Sequence, residues 1–126
     1  AGGAGGAAQR LRTATSTISS LGRKRRWHEA ALLLEELRAQ GLEPGVITYS
    51  ATISACEKGG QWAWALGLLG EMPRRALAPD VIVFNAALSA LEKCGLWQRA
   101  LGLLSEMQEL VRPDVISYSA AISACA

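Results

Sequence analysis

The sequence contains few of the residues from which catalytic and metal sites are usually built. Its 126 residues include one histidine, His28, and three cysteines, Cys56, Cys94 and Cys125, none of them in a C-x-x-C pair. This inventory argues against a histidine-based metal site and against a histidine-activated nucleophile. The glycine pairs near the N-terminus follow no strand, so they do not resemble a phosphate-binding loop. We therefore expect no catalytic residue, no metal and no cofactor.

Long apolar runs and a strong overall charge are also missing. The best candidate for a membrane span, residues 81–91, is interrupted by Asn85 and Ser89, so we expect no membrane insertion. Half of the residues are apolar and the formal net charge is +2, a composition that buries a core. Residues 1–45 hold seven Lys/Arg and four Asp/Glu, chiefly through the run Arg23–Arg26. This run is either a solvated loop or a contact for a polyanion.

The sequence does contain a repeat of 35 residues. Tryptophan recurs at Trp27, Trp62 and Trp97, with an alanine three positions after each. Aligned without gaps, residues 46–75 and 81–110 share 16 identities in 30 positions. The chain divides into a flexible Gly/Ala-rich lead at 1–10, a divergent unit at 11–45, units at 46–80 and 81–114, and a partial unit, first helix only, at 115–126.

Each full unit is predicted to form two helices. In the second unit, the apolar residues from Trp62 to Met72 follow a helical spacing, and a glycine pair at 59–60 ends the helix before them. Thr48 is the expected cap of that first helix. A hairpin of this size cannot bury its apolar faces alone, so neighbouring hairpins must stack. We predict an all-α fold, an α-solenoid of about three and a half helix-turn-helix hairpins, with the tryptophans in the hairpin core.

The unit junctions distinguish between helical repeats of similar length. Residues 79–85 read P-D-V-I-V-F-N and residues 113–119 read P-D-V-I-S-Y-S, which resembles the P-D-V-x-T-Y-N junction of pentatricopeptide repeats. The segments E-K-G-G at 57–60 and A-L-G-L-L-G-E-M at 65–72 are similar to that family's C-K-x-G and A-L-x-L-F-x-x-M elements. The W-x-x-L-G-x-x-Y pattern of tetratricopeptide repeats is missing from the first helices. The sequence thus resembles the pentatricopeptide repeat family from about residue 11 onward.

This resemblance implies a plastid or mitochondrial protein that binds single-stranded RNA and reads about one base per repeat. In that family the fifth and last residues of a repeat read the base. The matching residues are Ser50 with Asp80, Asn85 with Asp114, and Ser119 without a closing partner. The family inserts the second residue between bases and contacts phosphate through a lysine near the end of the first helix. The matching residues are Ile47, Ile82 and Ile116 for insertion, and Lys58 and Lys93 for phosphate.

The family's pattern implies a weak preference for G followed by U. In the first unit the reading pair is Thr15 with Gly45, and glycine has no side chain with which to read. Few lysines mean few neutralised phosphates, so we expect weak binding by this chain alone. We also expect it to belong to a longer organellar protein that processes or stabilises RNA.

Two alternatives stand beside this interpretation. Asp80 and Asp114 each follow a proline in a turn, where capping of the next helix is an equally simple role. The whole chain also has an alternative function, as a structural or adaptor subunit of a large organellar complex. Such a subunit would use the solenoid to bind protein partners.

Overall fold

The computed structural model describes residues 3–110 together with residues 114, 117, 119, 120 and 122. The first of these ranges forms six helices and no strand. Their bounds are α1 Gly3–Arg23, α2 Trp27–Ala39, α3 Val46–Lys58, α4 Trp62–Arg74, α5 Val81–Lys93 and α6 Trp97–Leu110. None of these helices is both long enough and apolar enough to cross a membrane.

The helices form two layers. In the first-helix layer, α1 packs on α3 and α3 packs on α5. In the second-helix layer, α2, α4 and α6 show no such close backbone packing within the described residues, and meet one another through single side-chain contacts. Each of α2 and α4 instead packs on the first helix of its own unit and on that of the next unit. This arrangement confirms the predicted all-α solenoid, because every hairpin completes its core with its neighbour.

The turn inside each hairpin has the same backbone geometry in all three units. Gly60 and Gly95 have positive φ angles of 71° and 67°, and Arg25 has a φ of 61° at the equivalent position. The next residue's N–H then reaches back into the preceding helix, as in a Schellman closure; for Gln61 the acceptor is the Cys56 carbonyl at 2.8 Å. Glycine adopts this conformation freely. Arginine pays about 1 kcal/mol for it, so the first turn is the costliest.

The tryptophans lie at the seams between hairpins. The Trp27 ring lies over Gly59 of the next unit, where an added Cβ would be 2.4 Å from Trp27 Cδ1. Trp64 of α4 also packs on Trp27, with ring centroids 5.8 Å apart. In the same register Arg99 of α6 lies 4.8 Å from the centre of the Trp62 ring, a cation–π contact.

The prediction that all three tryptophans form the hairpin core therefore needs correction. Trp27 and Trp62 are half-buried and pack against the core, whereas Trp97 is 47% exposed. The covering side chain comes from the following unit. For Trp97, no residue of a following hairpin supplies such a cover within the described residues.

Two further predictions differ from the structure. In place of a flexible lead at residues 1–10, α1 extends back to Gly3. Alanine is the strongest helix former and no proline interrupts this stretch, so the helix continues despite its glycines. Thr48 does not cap α3, because the helix begins at Val46 after Gly45. The Thr48 hydroxyl instead lies 2.8 Å from the Thr15 hydroxyl of α1.

Adding a methyl group to Gly59 should destabilise the seam. In Gly59→Ala the new Cβ collides with the Trp27 ring, and overpacking of this kind costs about 1–3 kcal/mol. Gly67→Ala is the matched control, because Gly67, inside α4, likewise has no positive φ and a Cβ there meets nothing within 4 Å. The control should gain up to about 1 kcal/mol from helix propensity. Urea unfolding measures both changes, and a Gly59→Ala variant as stable as the parent would contradict the seam packing.

The two described cysteines should differ sharply in reactivity. Burial raises the pKa of the Cys56 thiol to about 11, and the side chain is inaccessible. Cys94 is exposed. Since the thiolate is the nucleophile, iodoacetamide at about pH 8 should modify Cys94 and spare Cys56 in the folded chain, and modify both in urea. Peptide mass spectrometry assigns each site, and rapid modification of native Cys56 would disprove this burial.

Candidate nucleic-acid interface

Two isoleucines project into solvent from the first-helix layer. Ile47 in α3 is 76% exposed and Ile82 in α5 is 62% exposed, although Tyr49 and Phe84, two residues further on, are buried in the core. Core packing gives no reason to leave a large apolar side chain in water at the same position of successive units. This exposure is what insertion between bases requires. Ile116, the third predicted member of the row, lies outside the described residues.

Both aspartates of the chain accept a hydrogen bond from the backbone N–H three residues later. Asp80 is the N-cap of α5, where its Oδ1 accepts from the Val83 backbone N–H at 3.0 Å. Asp114 Oδ1 accepts from the backbone N–H of Ser117 at 3.0 Å. The capping role considered for both residues is therefore real. Capping uses only part of the hydrogen-bonding capacity of a carboxylate, because an ionised carboxylate has about four acceptor sites.

The structure brings one predicted reading pair into contact and leaves the other apart. Asn85 Nδ2 donates to Asp114 Oδ1 at 3.1 Å. No hydrogen bond joins Ser50 to Asp80 among the described residues; Ser50 is half-buried and Asp80 is exposed. Ser119 is exposed.

The two predicted phosphate-contacting lysines differ in their surroundings. Lys93 forms an ion pair with Glu57 of the preceding unit, which compensates part of its charge. Lys58 is exposed at the equivalent position, and none of the ion pairs in the described residues includes it. Glu57 lies 36 residues before Lys93. The residue at the same distance before Lys58 is Gly22, which has no carboxylate to pair with the lysine. Lys58 therefore carries the less compensated charge of the two.

A groove beside Lys58 is also lined by Arg23, a positively charged residue that the family pattern did not single out. The groove, about 220 Å³ in volume, lies between α1 and α3 and is lined by Ser19, Arg23, Ser54 and Lys58 among others. Arg23 appeared in the sequence only as part of a basic run. Its register is the overlooked signal, because Arg23 is the thirteenth residue of its unit, as Lys58 and Lys93 are of theirs.

A larger cavity, about 630 Å³, opens between the middle of α1 and the first turn of α3. Arg12 and Ile47 line it together with the backbone of Gly45. The Thr15 hydroxyl in its wall already donates to the Leu11 carbonyl at 2.7 Å. The cavity therefore offers mainly apolar surface, with few polar groups to select a ligand.

These features define a helical-repeat protein with a row of exposed side chains along one layer of helices. The family model of the pentatricopeptide repeat domain matches residues 32–95, which is half of the chain. Models described as PPR repeat family and PPR repeat match residues 79–126 and 12–42. The chain belongs to the pentatricopeptide repeat family.

Solved structures of this family are similar over nearly the whole chain. The crystal structure of the pentatricopeptide repeat protein PPR10 in complex with an 18-nt psaJ RNA element has a TM-score of 0.83 at 27% identity, over 90% of this chain. The crystal structure of PPR10 from maize has a TM-score of 0.78 at 25% identity, over 89%. The present chain spans only 17% and 16% of those two chains. Curated protein sequences gave no match.

The capping role of Asp80 should be separable from its charge. Asp80→Ala removes the acceptor for the Val83 N–H and should lower the free energy of unfolding by about 1 kcal/mol. Asp80→Asn keeps a side-chain oxygen at the cap and should stay close to the parent, since Asn and Asp cap about equally well. Urea unfolding of both variants tests this. Equal stability of Asp80→Ala and the parent would show that the cap contributes nothing.

Proposed function

We propose that this chain is a single-stranded RNA-binding module of a longer plastid or mitochondrial protein that processes or stabilises RNA. The observation that carries the proposal is the exposed row of Ile47 and Ile82, each on the same helix face as a polar residue three positions later. Support also comes from the similarity to PPR10, whose structure contains an RNA element.

The spacing of these residues suits alternate insertion and reading. Residues three apart lie side by side on a helix surface, so Ile47 neighbours Ser50 and Ile82 neighbours Asn85. A base held between the two isoleucines presents its edge to the polar residue between them. Contact of a base with side-chain surface is worth about 1–3 kcal/mol for aromatic partners, and the smaller isoleucine belongs toward the lower end.

The polar residues carry the proposed preference for G followed by U. A hydroxyl at Ser50 and a carboxylate at Asp80 can accept hydrogen bonds from the N–H groups on the Watson–Crick edge of guanine. An amide at Asn85 offers one donor group and one acceptor, which complements uracil. Since reading of single-stranded RNA uses these edges, two units give a short and weak preference.

Phosphate contacts on this surface are few. Arg23 and Lys58 line one groove, while the charge of Lys93 is shared with Glu57. For single-stranded nucleic acid, each neutralised phosphate contributes about −0.7 to the slope of log affinity against log salt. We expect a slope of roughly −1.4 to −2.

Fluorescence anisotropy with the whole chain tests this function. The probes are short fluorescein-labelled RNAs that contain G-U, and the same RNAs with C-A at those two positions. Ile82→Ala should weaken binding to both roughly fivefold, because the lost contact approaches 1 kcal/mol. The control is Leu32→Ala, which truncates another exposed apolar residue, here in the second-helix layer. Asn85→Ala should remove the preference, and Lys58→Ala should reduce the salt slope by about 0.7.

Equal affinity for all probes, unchanged in Ile82→Ala and Asn85→Ala, would contradict RNA binding by this surface. The second candidate, an adaptor subunit, is favoured by apolar side chains left exposed on the second-helix layer. They are Leu32, Trp64, Trp97, Leu101 and Leu110. Recovery of the chain from its native source in a protein complex that survives RNase and contains no RNA would support the adaptor.

A further inference from the structure

Ser117 holds the Asn85 side chain from the neighbouring unit. Ser117 is fully buried, and its hydroxyl donates to Asn85 Oδ1. The same hydroxyl lies 3.0 Å from Asp114 Oδ1 and accepts from the Asp114 backbone N–H at 3.2 Å. A serine hydroxyl has one hydrogen and two lone pairs, so its single hydrogen is shared between the amide oxygen and the carboxylate.

The three side chains together fix which way round the Asn85 amide lies. An ionised carboxylate only accepts hydrogen bonds, so the amide group that faces Asp114 at 3.1 Å must be the NH2. Ser117 then anchors the opposite end by donating to the oxygen. A flipped amide would set its oxygen against the carboxylate and lose both of these bonds, keeping in their place only a bond from its NH2 to the Ser117 oxygen. One amide N–H and one oxygen lone pair remain for a ligand.

Amide orientation matters because uracil and cytosine differ by exchange of donors and acceptors. Uracil has an acceptor at its fourth ring position and an N–H at the third, whereas cytosine has an amino group at the fourth and an acceptor at the third. An amide in one orientation matches only one of these orders, and an amide free to flip matches both. Discrimination between the two pyrimidines therefore requires the amide to be held.

We infer that Ser117 is a positioning residue that holds the Asn85 amide in one orientation and so lets this unit distinguish uracil from cytosine. The inference rests on the proposed RNA-binding function. Ser117 is the third residue of its unit, and Asn85 is the fifth residue of the unit before it. The structure thus adds a residue of the next unit to the reading pair.

The other two junctions use the same register in different ways. At the first, Thr48 in the third position contacts Thr15 in the fifth position of the preceding unit at 2.8 Å. At the second, the third position is the buried Val83, which has no hydroxyl to offer Ser50. Only the junction after Asn85 combines a hydroxyl with an amide. The orientation of that amide decides whether its donor or its acceptor faces each group of the base.

Base discrimination by variants of the whole chain tests the inference. The probes are fluorescein-labelled RNA octamers that contain G-U or G-C at otherwise identical positions. Ser117→Ala should lower the preference for G-U over G-C by about three- to tenfold, the factor that one hydrogen bond is worth. Ser117→Thr keeps the hydroxyl and should retain the preference. Thr48→Val removes the equivalent contact at the first junction and should leave the preference unchanged.

A second measurement needs no RNA. Asn85 is the chain's single asparagine, so selective ¹⁵N-asparagine labelling gives one pair of side-chain amide signals. In the parent and in Ser117→Thr these protons should exchange slowly with solvent, and in Ser117→Ala faster. Urea unfolding establishes that each variant is folded, and Ser117→Thr keeps the comparison valid if Ser117→Ala is not.

The outcomes separate the inference from the proposed function. A parent chain that prefers G-U, with the same preference and the same amide exchange in Ser117→Ala, overturns the role of Ser117 and leaves RNA binding intact. A parent chain that does not distinguish the probes overturns both. Loss of preference in Ser117→Ala together with retention in Ser117→Thr supports the positioning role, because a purely structural role would not alter the ratio between two RNAs.

Discussion

Burial between consecutive hairpins is the constraint on which the rest of the structure depends. Each second helix completes its apolar packing on the first helix of the next unit, and the Trp27 ring lies directly over Gly59 at this seam. The fit is close enough to fix how far one unit can slide along another. Packing at the seams therefore sets the register between units. That register in turn sets how the side chains of successive units align on the surface of the first-helix layer.

The candidate interface depends on this register. Polar contacts across the seam join residues 32 to 36 positions apart, such as Lys93 with Glu57 and Arg38 with Glu71. The contact of Ser117 with Asn85 belongs to the same set. A slip of one unit against the next would break all of them at once. Packing of the core therefore also determines where the surface polar groups lie. None of the polar groups of the interface belongs to the core cluster that contains Tyr49 and Phe84.

Periodicity in the sequence was sufficient for the fold, because 35-residue spacing and helical apolar stripes recur in every unit. The exposed positions of Ile47 and Ile82 came from the family resemblance, which assigns the second residue of each repeat to insertion between bases. What the units share does not reveal how one unit's side chains meet the next. The pairing of Lys93, the cover over Trp27 and the hydroxyl of Ser117 all arise across seams. The continuation of α1 to Gly3 is not predicted for a different reason. Frequent glycine indicates a flexible segment, whereas the alanines between these glycines favour a helix, and the helix forms.

The two layers also give the molecule an uneven stiffness. Since α2, α4 and α6 meet one another through side chains at the seams, such as Trp27 with Trp64, and not by close packing of their backbones within the described residues, the angle between units is resisted mainly by the first-helix layer and by the seams. Small changes in angle at each seam add along a repeat array, so a ligand that follows the row of exposed side chains can be accommodated by a gradual change of pitch, with every hairpin remaining intact.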